Sequence, residues 1–253
     1  MRSRLLVRLA LFISLLSFAE ANIATINEAI DQAGRQRMLS QRMMKDYSMI
    51  GMSIKFGNPS KELTSSAKLF DKTLDELIAF SKDKASKEAL AKVKKLWTPL
   101  KAKLLAPPDK DSAVELFGEV EKLLEVSHKA TNAIASNSKE STGEIINISG
   151  RQRMLSQRLG SLYMLKVWGV GMDDTKLQET IKEFEKAQTK LLAFPKNSKE
   201  IESGLNAVKK DFMFFEVLGA SKSKKYIPSL IARSSNKITK KMNDVTKLYI
   251  DIK

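Results

Sequence analysis

The stretch GRQRMLSQR occupies residues 34–42 and recurs, unchanged at all nine positions, at residues 150–158. No turn signal lies inside it and long apolar periodicity flanks it, so it belongs in the middle of a helix. A heptad-type seam runs through the first copy as Ile23, Ile26, Ile30, Ala33, Arg37, Ser40, Met44 and Tyr47. In the second copy the same register gives Ile146, Ser149, Arg153, Ser156, Gly160, Tyr163 and Val167. Arg37 and Arg153 therefore fall on a seam whose other positions are apolar or small, where an unpaired charge is costly. Gly34 and Gly150 lie one turn earlier on nearly the same face. A glycine inside a helix costs about 1 kcal/mol relative to alanine, and here it leaves a notch beside the guanidinium. Arg35 and Arg42 share a different face.

The chain has ten arginines, and six of them lie in the two repeats. Arg2, Arg4 and Arg8 precede an N-terminal apolar run, and Arg233 stands alone; every other fixed cation is lysine. A guanidinium offers a planar fork of donors and a permanent charge, which suits planar or oxyanionic ligands.

Duplication extends beyond the nine residues. Phe70, Leu77 and Phe80 align with Phe184, Leu191 and Phe194 at an offset of 114, and Val93-Lys94-Lys95 with Val208-Lys209-Lys210 at 115. Each unit reads as four amphipathic helices. In the first, helix 1 spans about 23–55 and ends at Gly57-Asn58-Pro59, with Ser60 as the cap of the next. Helix 2 carries Leu63, Ala67, Phe70, Leu74 and Leu77; helix 3 carries Leu90, Val93, Trp97, Leu100 and Leu104, with a kink at Pro99; helix 4 carries Val114, Phe117, Val120 and Leu124. The second unit repeats this, its last helix carrying Leu230, Ile238, Met242, Val245 and Tyr249. The fold expected is all-α: two tandem up-down four-helix bundles, residues 22–136 and 137–253. The polar joint 137–143 lacks proline, so both a continuous long helix across it and a hinge stay open.

Residues 1–21 read as a signal peptide: a basic start, a short apolar stretch, then Ala19-Glu20-Ala21. The product is expected to be periplasmic or secreted; the alternative is anchoring by an uncleaved N-terminal segment. With no cysteine there is no disulfide scaffold and no thiolate metal site. The formal charge is +15, and removing three Arg and one Glu with residues 1–21 leaves +13. The lysines alternate with Asp and Glu along helical segments, which reads as a solvated face, and no nucleic-acid motif accompanies them. A third reading, binding of anionic polymers or lipid headgroups, predicts binding that fades with salt.

The segments AGRQRMLSQRM at 33–43 and SGRQRMLSQRL at 149–159 resemble the signature of the PilJ-type domain, the N-terminal periplasmic region of type IV pilus methyl-accepting chemotaxis transducers. This family is similar to the sensor region of nitrate/nitrite sensor kinases. Asn27 to Ala33 and Ile146-Asn147-Ile148-Ser149 resemble its lead-in, and MNDVTKLY at 242–249 its closing helix. The resemblance implies a four-helix bundle whose first helix binds nitrate or nitrite at a dimer interface. It places ligand-binding residues at Gly34, Arg37 and Arg42 and at Gly150, Arg153 and Arg158; the seam reading itself adds Ser40, Gln41, Ser156 and Gln157, one turn on, as secondary candidates. Arg35-Gln36 and Arg151-Gln152 follow the pilus-type wording rather than the nitrate-sensor wording. The chain resembles the sensing module alone, without a transmitter.

Two classes of function follow. In the first, an exported sensory module binds a small oxyanion and acts through a protein partner, a membrane receptor or a pilus or envelope component. The two copies of helix 1 then face each other within one chain as a pseudo-dimer, or each pairs with another chain in a homodimer. In the second, a ligand-free interaction protein pairs its seam arginines with carboxylates. A close Asp or Glu on Arg37 and Arg153 favours the second; an open polar notch favours the first. His128, the only histidine, is expected on a helix surface, which leaves no His-rich metal site. The methionines around the motif read as core filling, and Trp97 and Trp168 as core or interface. No catalytic constellation, metal site or cofactor is expected, and the chain is read as no enzyme.

Overall fold

The structure, a computed structural model, describes residues 23–138, 141–171, 174–220 and 227–252. The proposed signal peptide lies outside the described residues. Eight helices follow one another: α1 (Ile26–Gly51), α2 (Pro59–Phe80), α3 (Lys84–Leu105), α4 (Ala113–Ala135), α5 (Ser141–Trp168), α6 (Thr175–Leu192), α7 (Lys199–Ala220) and α8 (Pro228–Ile250). Among the described residues there is no strand. They form two up-down four-helix bundles, α1–α4 and α5–α8, as the periodicity predicts.

Local chemistry sets the helix starts. Thr25 and Glu28 make a reciprocal capping box at α1, each side chain accepting from the other's backbone N–H. The cap of α2 is Asn58 in the left-handed region (φ 55°) with Pro59 in the first turn, not Ser60 as the sequence suggests. Asn tolerates that conformation, and proline is pre-set for the first helical position. Helix α3 runs through Pro99, which is exposed together with Lys95, so the carbonyl it leaves unpaired can reach water.

The repeated apolar positions do the packing. Phe70 lies 4.2 Å from Trp97 in the first bundle, and Phe184 stacks on Phe212 at 3.9 Å in the second. Burying each such ring contributes on the order of 1.5–3 kcal/mol. Met38, Met43, Met44, Met49, Met154 and Met164 are all in the core. Val114 and Leu230, assigned to packed faces from sequence, are exposed.

The bundles meet through α1 and α5, which run parallel. Gly34 sits opposite Gly150 near their starts, and Gly51 lies under the Trp168 ring near their ends. Trp168 also meets Tyr47 edge-on, so this tryptophan is an interface residue and Trp97 a core one. The pseudo-dimer arrangement is thus built inside one chain. Because α1 also packs on α2 and α4, it is buried on nearly every side, and its polar residues must find partners in the protein.

The continuous helix across 137–143 is not formed. Helix α4 ends at Ala135, and Asn147 Nδ2 donates to Asn132 Oδ1 at 3.1 Å. Fifteen residues of unbroken helix would hold that pair about 22 Å apart. The chain reverses instead, because only a reversal lets α5 lie alongside α1 in the same direction.

Candidate anion site

The two seam arginines converge where α1 and α5 cross. A Cβ added to Gly34 would lie 3.3 Å from the Nη2 atoms of both Arg37 and Arg153 and 3.6 Å from the Gly150 Cα. One added to Gly150 would lie 3.1 Å from Arg153 Nη2 and 3.3 Å from Arg37 Nη2. The glycines therefore let two guanidinium groups share one junction. Arg37 is 0% exposed and Arg153 1%.

Their donor patterns match, related by the duplication. Arg37 Nη2 donates to the Asn147 carbonyl at 3.1 Å, and Arg153 Nη2 to the Asp31 carbonyl at 3.2 Å. Arg37 Nη1 donates to His128 Nδ1 at 3.0 Å, and Arg153 Nη1 to Asn243 Oδ1 at 2.9 Å. Positions 31 and 147 are 116 apart, as the motifs are; 128 and 243 are 115 apart. The acceptors differ in charge. Asp31 Oδ1 lies 2.6 Å from Arg153 Nη2, whereas Arg37 has no carboxylate within 4 Å among the described residues. Both Nε atoms are buried without a hydrogen-bond partner.

The electrostatics follow. Burial first, then the nearby Arg153 and Arg151, push Arg37 down to about 9, which still leaves it charged at neutral pH. His128 is held down to about 4 by burial and by the Arg37 charge. Arginine has no acceptor, so His128 Nδ1 must accept and the ring is neutral. His128, expected on a helix surface, is partly buried there, because α4 turns it onto Arg37. A groove of about 220 Å³ reaches this half of the junction, lined among others by Arg37, His128, Glu121, Arg151, Arg158 and Glu183. Arg153 does not line it.

Other motif residues are engaged elsewhere. Ser40 and Ser156 each donate to the carbonyl three residues back, at Arg37 and Arg153, both at 2.8 Å. Gln41 Nε2 donates to Glu121 Oε1, and Gln157 Nε2 to Asn236 and Thr239. Arg158 pairs with Glu121 at 2.5 Å; Arg42, its counterpart, has no carboxylate within 4 Å among the described residues. Gln36 and Gln152, not singled out from sequence, donate to the Phe70 and Phe184 carbonyls and tie each signature helix to its neighbour.

A second polar layer lies one helical turn further on. Lys45 is fully buried and donates to Gln157 Oε1 at 3.0 Å and Asn236 Oδ1 at 2.8 Å. Its stem passes over Gly160, where a Cβ would meet Lys45 Cδ at 3.1 Å. Asp46 lies 3.4 Å from Lys45 Nζ, and burial raises it to about 7. Sequence reasoning missed Asp31, His128, Asn147, Asn243, Lys45 and Asp46. Tracing the 115–116 offset outward from the motifs would have paired the first four, though not shown that they touch arginine.

This is a helical protein in which two copies of one signature helix lie parallel and pool their arginines at a single junction. A family model described as type IV pili methyl-accepting chemotaxis transducer N-term matches residues 24–123 and 134–210, and the chain belongs to that family. The family is one of sensory, transducer-type helical domains. Neither a curated protein nor a solved structure matches the chain. Among the described residues no helix is long and apolar enough to cross a membrane, and no cluster of His, Cys, Asp and Glu is arranged to hold a metal ion.

Proposed function

We propose that this protein is an exported sensory module that binds a small oxyanion, nitrate or nitrite, at the α1–α5 junction and acts through a protein partner. The site consists of Arg37 and Arg153 with the glycine gap at Gly34 and Gly150; Arg158 lines the groove, and Arg42 does not. One observation carries this reading: Arg37 is wholly buried, charged, and held only by neutral acceptors beside a second guanidinium. A buried charge without a counter-ion is costly, and a bound anion would remove that cost.

The ligand-free alternative has an observation of its own in the Arg153–Asp31 pair, an arginine already neutralised by protein. Calorimetry of the purified protein against nitrate, nitrite, sulfate and phosphate separates the two. Arg37→Lys is expected to weaken nitrate binding although the charge stays, because the planar fork is lost. Arg37→Ala should cost at least about tenfold, since a charge-assisted hydrogen bond contributes on the order of 1.5–3 kcal/mol. If the parent binds none of the four anions, the chain is a helical interaction module.

A further inference from the structure

We propose that Asp31 is an internal counter-ion that holds the Arg153 half of the junction, so that each chain takes up one monovalent anion, at Arg37. This rests on the anion-binding reading above and adds its stoichiometry and charge selectivity.

The duplication kept most of the junction and changed one charge in it. The two guanidinium groups, both glycines and both backbone acceptors are retained. Of the paired side chains around the arginines, His128/Asn243 differ without a difference in charge, because His128 is neutral. Asp31/Asn147 is the pair that differs in charge. Asp31 places Oδ1 2.6 Å from Arg153 Nη2, with its other oxygen 3.4 Å from Arg35. Asn147 brings only its carbonyl to Arg37 and turns its amide to Asn132.

Inside the junction the charges are then two guanidinium groups and one carboxylate, a surplus of one positive charge. Of the arginines outside the junction, Arg151 faces Glu183 at 2.9 Å, Arg158 faces Glu121, and Arg35, on a different face of α1, makes a longer contact of 3.4 Å to the second Asp31 oxygen. A monovalent anion neutralises the surplus. A divalent one would leave a buried negative charge and would also sit against the carboxylate of Asp31 across the junction. Access agrees with this asymmetry, because the groove reaches Arg37 and not Arg153.

The test compares nitrate and sulfate by calorimetry on the full chain, on Asp31→Asn and on Asn147→Asp, with a melting curve for each. The parent is expected to bind one nitrate per chain and sulfate at least about tenfold more weakly. Asp31→Asn raises the surplus to two charges, so the sulfate-to-nitrate affinity ratio should rise at least about tenfold, or a second nitrate should bind. Asn147→Asp supplies Arg37 with its own carboxylate and should weaken nitrate at least about tenfold while the melting temperature holds or rises. Should Asp31→Asn fail to fold, Asn147→Asp decides alone. Two nitrates bound to the parent, or a sulfate-to-nitrate ratio and nitrate affinity unmoved by the variants, overturn the counter-ion role and leave the anion site standing. A parent that binds neither anion overturns both.

Discussion

The Arg37 and Arg153 halves of the junction have the same geometry and opposite electrostatic states. Each guanidinium reaches across to a carbonyl of the partner helix and back to a side chain on the last helix of its own bundle. One carries its counter-ion within the protein; the other does not. The repetition thus kept the donors while one acidic residue separated the two halves: Arg153 is neutralised by Asp31 across the α1–α5 contact, and Arg37 meets only neutral acceptors. The same division recurs one layer on. There Gln41 meets Ser161 and Glu121, while Gln157 meets Lys45 and Asn236, so acid and amide again trade places between copies.

The comparison breaks most visibly in stability. Arg153→Met should destabilise the ligand-free protein by about 3 kcal/mol in urea denaturation, because it strips a buried carboxylate of its partner. Arg37→Met removes an uncompensated buried charge and should be neutral or stabilising by about 1 kcal/mol, while abolishing nitrate binding. Equal losses in the two variants would show that the halves are not electrostatically distinct.

A smaller effect is expected at the glycines. Gly150→Ala brings a Cβ within 3.1 Å of Arg153 Nη2, whose ion pair with Asp31 keeps it from moving aside. It should cost about 1–2 kcal/mol despite the gain in helix propensity. Gly34→Ala meets nitrogens at 3.3 Å, one of them on the unpaired Arg37, and should cost less. Thermal melts of the two variants compare them directly.

A gentler contrast lies in the acid limb. The native protein holds His128 near 4, below its ordinary 6.5, so between those values the unfolded chain binds more protons. The histidine's own contribution to stability should therefore fall as pH drops from about 6.5 toward 4. His128→Asn, which gives the first copy the residue of the second, should flatten that fall. Asp46 acts in the other direction over an overlapping window: its value is raised from 3.8 to about 7, so the stability it contributes is lost as pH climbs from about 4 to about 7 and offsets the histidine's change. Comparing His128→Asn with the parent in the same buffers isolates the histidine. Smallest of all, Arg233→Ala should cost about 0.5–1 kcal/mol, the value of its contact with the Phe56 ring at 5.3 Å, and should leave anion binding unchanged.

Eight helices, the duplication, the family and the placing of two arginines on a seam beside glycines were all legible along the chain. These follow from periodicity and spacing, which are properties of one helix read along its length. The sequence was also enough to mark Gly34 and Gly150 as notches beside the arginines, because glycine in mid-helix calls for a reason. It did not determine that the two signature helices face each other in parallel within one chain, that the joint reverses at Ala135, or that Ser40 and Ser156 turn back onto their own backbone. Nor did it show that Asp31 faces Arg153 or that His128 faces Arg37. Those contacts join residues 122 and 91 positions apart, and a guanidinium's partner depends on which helices become neighbours. The exchange of one carboxylate for one amide at matched positions has no periodicity of its own. Only the packing of α1 on α5 brought it against an arginine and gave it a consequence.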